Sequence, residues 1–108
     1  MSKLPSRFIR FQQEHPAVFE AYEALGKAAG EDGPLGKKEI ALIKLAIAAG
    51  AKMEGAVHSH TRRALEAGNS PAEIRQVIVL SVTTLGFPSM MANLSWVDEI
   101  LAKAEEQS

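Results

Sequence analysis

The pattern of apolar and polar positions along the chain predicts helices joined by short turns. Apolar residues recur three or four positions apart in a first segment over about 6–14 and in a second that begins at Pro16. This spacing is typical of amphipathic helices. The run from Gly30 to Pro34 is rich in helix breakers and predicts a loop after the second helix.

The central segments are more apolar than surface helices usually are. A third helix is predicted over about 36–51 with almost no polar face, which indicates burial on nearly all sides. A fourth helix ends at Gly68 and Asn69, a combination that commonly stops helices.

A fifth helix begins after Ser70, where Pro71 and Glu73 complete a capping box. Its β-branched run over 77–79 would also suit a strand, but the cap and the segment length favour a helix. The last helix is expected to begin near Pro88 or Ser89.

Composition supports an all-α class with about six helices. Hydrophobic residues make up 46% of the 108 positions but aromatic residues only 6%, which favours closely packed helices over a β-sandwich. The length suits one domain over 1–108. The fifth helix is nearly as apolar as the third, and two such helices are hard to cover in a chain this short, so we expect a homo-oligomer.

Several functional classes are excluded or disfavoured by composition. The chain has no cysteine, so it has no disulfides and no thiol chemistry of its own. Its net charge is -1 with basic and acidic residues interspersed, which gives no sign of nucleic-acid binding. Lys44 interrupts the longest apolar run, so no membrane span is predicted. No secretory signal follows Met1, and we expect a cytoplasmic location.

The fourth helix separates its two histidines onto different faces. With about 100° per residue, Met53, Val57 and Ala64 lie on one side, and His60 falls beside them. His58 falls on the polar half, about 200° from His60. His60 is either a general acid/base or substrate-binding group, or a core-facing histidine hydrogen-bonded to a neighbour; the sequence leaves both interpretations open.

The remaining charged candidates are weaker. His58 forms an i, i+4 series with Glu54 and Arg62, which we interpret as a solvated ion-pair stripe and not as a metal site. Lys44 stands among aliphatic residues in the third helix, so it must extend to solvent, pair with an acid or serve a site. No metal or cofactor is expected.

Three segments resemble the carboxymuconolactone decarboxylase / AhpD-like family. The segments are "GKKEIALIKLAIAAG", "HTRRALEAGNSPAEIRQVI" and "GFPSMMANLSWVDEIL". Many members carry two cysteines followed by a histidine; here Met53 and Ala56 stand at the cysteine positions and His60 at the histidine position. The resemblance covers about 35–101, which leaves 1–34 as an N-terminal helical extension.

The resemblance implies an AhpD-like helical bundle that assembles as a dimer, trimer or hexamer. Thiol-dependent peroxidase or disulfide reductase activity is ruled out, since these reactions need a thiolate. The resemblance to the family's decarboxylases, which also lack the cysteine pair and keep this histidine, implies a decarboxylase-like lyase acting on a small carboxylated substrate with His60 as acid/base. Arg63 and Arg75 are candidate carboxylate contacts, and Lys44 and Glu39 are further substrate-binding candidates. The alternative is a non-catalytic ligand-binding or scaffold member of the family.

Overall fold

The structure is a computed structural model that describes residues 6–107. Within that range it contains helices and no strands, so the predicted all-α class is confirmed. The helices are α1 (Ser6–Glu14), α2 (Pro16–Gly30), α3 (Lys37–Gly50), α4 (Glu54–Glu66), α5 (Pro71–Leu80), α6 (Val82–Leu85) and α7 (Phe87–Gln107). Six of them span at least two turns and α6 is a single turn, which agrees with the prediction of about six helices.

The chain divides into two compact units, Met1–Leu35 and Gly36–Ser108. The first unit contains α1 and α2, which pack as a pair. Pro16 lies at the start of α2, where its missing N–H costs least. The Phe8 and Phe19 rings meet edge to face with their centroids 5.6 Å apart, a favourable geometry for aromatic pairs.

The second unit contains α3–α7 and is organised around α4, which packs against α3 on one side and α7 on the other. α5 packs against α7 and α3. The core residues are apolar and mostly aliphatic; the most deeply buried are Leu45, Ala49, Val57, Ala64, Ile74, Ile78, Val97 and Leu101. Because the core includes several alanines, the helix backbones can approach one another closely and pack densely.

The end of α4 is fixed by hydrogen bonds and by one glycine. The Gly68 amide donates to Leu65 O at 3.0 Å, and the Asn69 amide donates to Ala64 O at 3.0 Å. This is the Schellman arrangement, which needs a left-handed residue, and Gly68 supplies it with φ of +100°. The buried Asn69 side chain also donates to Lys38 O at 3.2 Å, which links the end of α4 to the start of α3.

The same arrangement closes α3, but with lysine in the left-handed position. The Lys52 amide donates to Ala49 O at 3.1 Å, and the Met53 amide donates to Ala48 O at 3.2 Å. Lys52 has φ of +57°. Gly50 is the last residue of α3, as the sequence suggested, yet it does not relieve the strained position two residues later.

The predicted capping box of α5 is confirmed. The Glu73 amide donates to Ser70 Oγ at 3.1 Å, and the Ser70 amide donates to Glu73 Oε1 at 2.8 Å. The fifth helix is shorter than expected, because the Ser81 amide and hydroxyl both bond to Ile78 O, at 3.0 and 2.6 Å. This local bonding interrupts the regular helical ladder and separates α5 from α6.

The last helix begins at Phe87, one residue before the expected start, directly after Gly86 with φ of +92°. Its buried Asn93 amide group donates to Ala49 O at 3.2 Å and to Ser89 O at 3.0 Å. The first of these bonds occupies a carbonyl at the C-terminal end of α3. It therefore fixes α7 against α3 at a depth where an unpaired polar group would be costly.

Part of the apolar surface of α3 and α5 stays exposed. Ile47 is 67% exposed and Leu80 is 65% exposed, and Ile43 and Val79 are exposed as well. A single chain therefore leaves these two helices partly uncovered, as we expected for a chain of this length. None of the described helices is long and apolar enough to cross a membrane.

The left-handed residues that follow α3 and α4 predict opposite effects of two substitutions on stability. Lys52→Gly should stabilise the fold by about 0.5–1 kcal/mol, because relief of the left-handed strain exceeds the extra entropy of an unfolded glycine. Gly68→Ala should destabilise the fold, since alanine would enter the strained conformation. Urea denaturation of both variants measures the two changes; a Lys52→Gly variant less stable than the wild type would contradict this account of the turn.

Candidate functional site

The candidate site is built on α4, whose inward side holds the helix in place. Val57, Thr61 and Ala64 are fully buried on this side. The Thr61 hydroxyl is satisfied within the helix, since it donates to Val57 O at 2.7 Å. His60 directly precedes Thr61 of this buried row and is itself partly buried, with a buried Nδ1.

The His60 ring has an unusual environment for a partly buried histidine. Its Nδ1 is buried, and no hydrogen-bond partner for it lies within residues 6–107. Burial lowers the pKa of His60 below its ordinary value of 6.5, and the positive charges of Arg63 and Lys44 lower it further. The ring is therefore held in its neutral form at neutral pH, with a nitrogen that can still donate or accept a hydrogen bond.

Lys44 and Arg63 bring two positive charges toward this ring from different helices. Lys44 lies on α3 and is partly buried, whereas Arg63 lies on α4 and is exposed. Within the described part of the chain, neither side chain has a carboxylate at ion-pair distance. An intrachain ion pair, one of the interpretations considered for Lys44, is thus not formed among these residues. Three of the predicted site residues therefore share one electropositive region.

The other two predicted substrate-binding residues are engaged elsewhere. Arg75 Nε lies 2.8 Å from Asp98 Oδ1 and joins α5 to α7. The Glu39 carboxylate folds over the start of α3, where a Cβ added to Gly36 would lie 2.6 Å from its Oε1. An acid in the first turn is favourable at a helix N-terminus. A role for Arg75 or Glu39 in substrate binding stays a prediction.

The two positions that carry cysteines in many relatives differ in exposure. Met53 precedes the first turn of α4 and is 58% exposed, so the expectation that it lies on the inward side is wrong. The helix has barely begun at this residue, and the 100° periodicity does not extend to it. Ala56 is partly buried within the first turn. Neither residue can perform thiol chemistry.

His58 contacts an acid that the sequence pattern did not indicate. Its Nε2 lies 2.9 Å from Glu99 Oε2 on α7. The predicted ion-pair stripe along α4 is therefore wrong for the described residues, since His58 pairs with α7 and neither Glu54 nor Arg62 makes an ion pair among them. Glu54 and His58 instead lie near Glu99, with one ligand atom of each within 4.8 Å of the others. Glu99 follows His58 by 41 positions. No local spacing could have revealed this contact.

The fold is similar to two solved structures. One is the apo crystal structure of a carboxymuconolactone decarboxylase family protein from Legionella pneumophila, with a TM-score of 0.77 over 90% of this chain and 87% of the other, at 24% identity. The other is a candidate carboxymuconolactone decarboxylase from Burkholderia xenovorans, with a TM-score of 0.69 over 97% and 85%, at 21% identity. At these identities the likeness establishes the fold.

Family membership is established by the sequence itself. Among curated proteins, none matches the chain. The sequence model of the carboxymuconolactone decarboxylase family matches residues 16–99. This range reaches from the start of α2 past the middle of α7 and includes the whole of α4. Because the match spans well over half of the 108 residues, the chain belongs to the carboxymuconolactone decarboxylase family.

Proposed function

We propose that this chain is a decarboxylase-like lyase that acts on a small carboxylated substrate with His60 as its acid/base group. The observation that carries the proposal is the environment of His60. A neutral ring with an unpartnered buried nitrogen lies in the field of Lys44 and Arg63, which have no carboxylate partner among the described residues. An anionic ligand would supply the missing negative charge.

The charges around His60 favour binding of the substrate first and transfer of a proton to it afterwards. A substrate carboxylate would offset the charges of Lys44 and Arg63, which are two of the three causes that lower the pKa of His60. Binding would therefore raise the proton affinity of the ring. Loss of carbon dioxide leaves an electron pair on carbon, and His60 would deliver a proton to that carbon. The ring would take up this proton from solvent when the substrate binds, so delivering it to carbon returns His60 to its neutral form.

The chemistry of the cysteine-bearing relatives is not proposed for this chain. Disulfide reduction and thiol-dependent peroxide reduction both begin with a thiolate, and the chain has no cysteine. The methionine at position 53 and the alanine at position 56 cannot replace it. We assign no cofactor and no metal to the His60 region, since the proposed steps need only positive charge to hold the carboxylate and a group that donates a proton.

The second candidate function is that of a non-catalytic ligand-binding or scaffold member. The same two cations could hold a carboxylate with no later proton transfer. This alternative is favoured by the positions that carry cysteines in many relatives, since Met53 and Ala56 offer no reactive group there. The two functions differ in one measurable respect, which is turnover.

His60→Gln should lower turnover of a lactone acid by about 10²–10⁴-fold, the usual contribution of a general acid/base group. The assay follows release of carbon dioxide from γ-carboxymuconolactone by the full chain. Arg63→Gln should chiefly weaken substrate binding and raise KM, because it removes a charge and not the proton donor.

His15→Gln is the matched control, since His15 is an exposed histidine in the linker before α2. It should leave turnover unchanged. Equal rates for wild type and His60→Gln would exclude the acid/base role. Carboxylate binding by calorimetry without any turnover by the wild type would favour the non-catalytic function.

The lowered pKa of His60 predicts a specific dependence of stability on pH. Between 6.5 and the lower folded-state pKa, the unfolded chain binds more protons than the folded chain. The stabilisation from a neutral His60 is thus fully present above pH 6.5 and declines as pH falls through this window. His60→Gln should remove this component.

Urea denaturation of both proteins at about pH 8 and about pH 5 tests this linkage. The wild type should lose more free energy of unfolding than His60→Gln does, while all other titrating groups contribute equally to both. The same loss in both proteins would show that His60 titrates normally in the folded chain.

We also propose that the chain works as a homo-oligomer, as a dimer, trimer or hexamer. The support is the apolar surface of Ile43 and Ile47 on α3 and of Val79 and Leu80 on α5, which a single chain leaves exposed. The family commonly assembles in this way, as the sequence resemblance implies. The cytoplasmic location expected from the sequence also stays a prediction.

Sedimentation equilibrium should give a whole multiple of the chain mass for the wild type. Ile47→Glu should shift the distribution toward the monomer, because burying a carboxylate without a partner is costly. Ser95→Glu adds the same charge at an exposed position on α7 and should leave the assembly intact. A wild type that sediments as a monomer at all concentrations would exclude this assembly.

A further inference from the structure

A second group of chemically active side chains lies apart from His60. Glu54 and His58 are one turn apart on α4, and Glu99 approaches them from α7. One ligand atom from each lies within 4.8 Å of the others, and the His58 Nε2 to Glu99 Oε2 distance is 2.9 Å. His58 and His60 point about 200° apart around the helix. The group is therefore independent of the proposed acid/base site.

The donor set of this group matches the preference of a borderline divalent cation. Zn²⁺ binds imidazole nitrogen and carboxylate oxygen at about 2.0–2.2 Å. Two ligands at that distance from one ion lie roughly 3 Å apart, which is close to the spacing of His58 and Glu99. Glu54 and Glu99 are exposed side chains, so small rotamer changes can bring the third ligand into place.

Charge also favours a divalent ion. The carboxylates of Glu54 and Glu99 give the group negative charge, which a dication would offset. Imidazole combined with carboxylates selects a first-row ion such as Zn²⁺ over Mg²⁺ or Ca²⁺, which prefer oxygen ligands alone. The nearby Arg62 makes none of the ion pairs found among the described residues, so Glu54 and Glu99 are not occupied by it.

We propose that Glu54, His58 and Glu99 form a divalent metal site of the Zn²⁺ class that joins α4 to α7. Each residue gives one ligand atom, and water completes the coordination shell. The sequence separation of His58 and Glu99 means that the ion would cross-link two packed helices of the second unit. Because the unfolded chain does not hold these ligands together, metal binding should stabilise the folded state.

Calorimetric titration of the full chain with ZnCl₂ tests the site directly. The wild type should bind one ion per chain in a saturable manner, and its Tm should rise with zinc concentration. His58→Gln, Glu99→Gln and Glu54→Gln should each weaken binding by at least about tenfold, since even residues that only support metal ligands have effects of this size. Each should also lose the zinc-dependent rise in Tm.

Two matched controls separate this site from general affinity of histidine and glutamate for zinc. His15→Gln and Glu23→Gln remove an exposed histidine and an exposed glutamate from the first unit, and both should bind zinc as the wild type does. If His58→Gln folds poorly, Glu54→Gln still decides, because Glu54 is exposed and outside the His58–Glu99 ion pair.

Two results would overturn the proposal. The first is the absence of saturable zinc binding by the wild type, which would leave an ion pair between His58 and Glu99 as the whole function of the group. The second is binding that the three ligand substitutions leave unchanged. Neither result depends on turnover, so the outcome is separate from that of the His60 experiments.

Discussion

The packing of α4 between α3 and α7 is the constraint on which the rest of the second unit depends. Val57 and Ala64 have no exposed surface, and Asn93 fixes α7 to the last turn of α3 through a buried hydrogen bond. With α4 held on two sides, its remaining faces have defined surroundings. His60 and His58 lie on different faces of this helix, so one helix presents two chemically different candidate sites.

The two sites differ in the sign of their charge. The His60 region combines a neutral ring with Lys44 and Arg63, and it suits an anion. The His58 region combines an imidazole with two carboxylates, and it suits a cation. Separation around the helix allows both to exist in a chain whose net charge is only -1. Loss of the family cysteines removes thiol chemistry but leaves the histidine and its positive surroundings in place.

Local sequence signals predicted local structure well. The capping box at Ser70 and Glu73, the stop at Gly68 and the start at Pro16 all act through hydrogen bonds or steric limits within four residues. The exceptions are local as well. The Ser81 hydroxyl competes with the helical ladder and shortens α5, and Lys52 takes a left-handed conformation that glycine more commonly fills. Hydrophobic periodicity predicts neither the early end of α5 nor the left-handed conformation of Lys52.

The sequence alone determined the all-α class, the helix order and the absence of thiol chemistry, because these follow from composition and from periodicity along each segment. Tertiary structure alone decided which charges meet. It placed Lys44 in the field of His60, paired Arg75 with Asp98 and brought Glu99 to His58. Helix packing sets these contacts between residues far apart in sequence, and the spacing of residues within one segment carries no information about them.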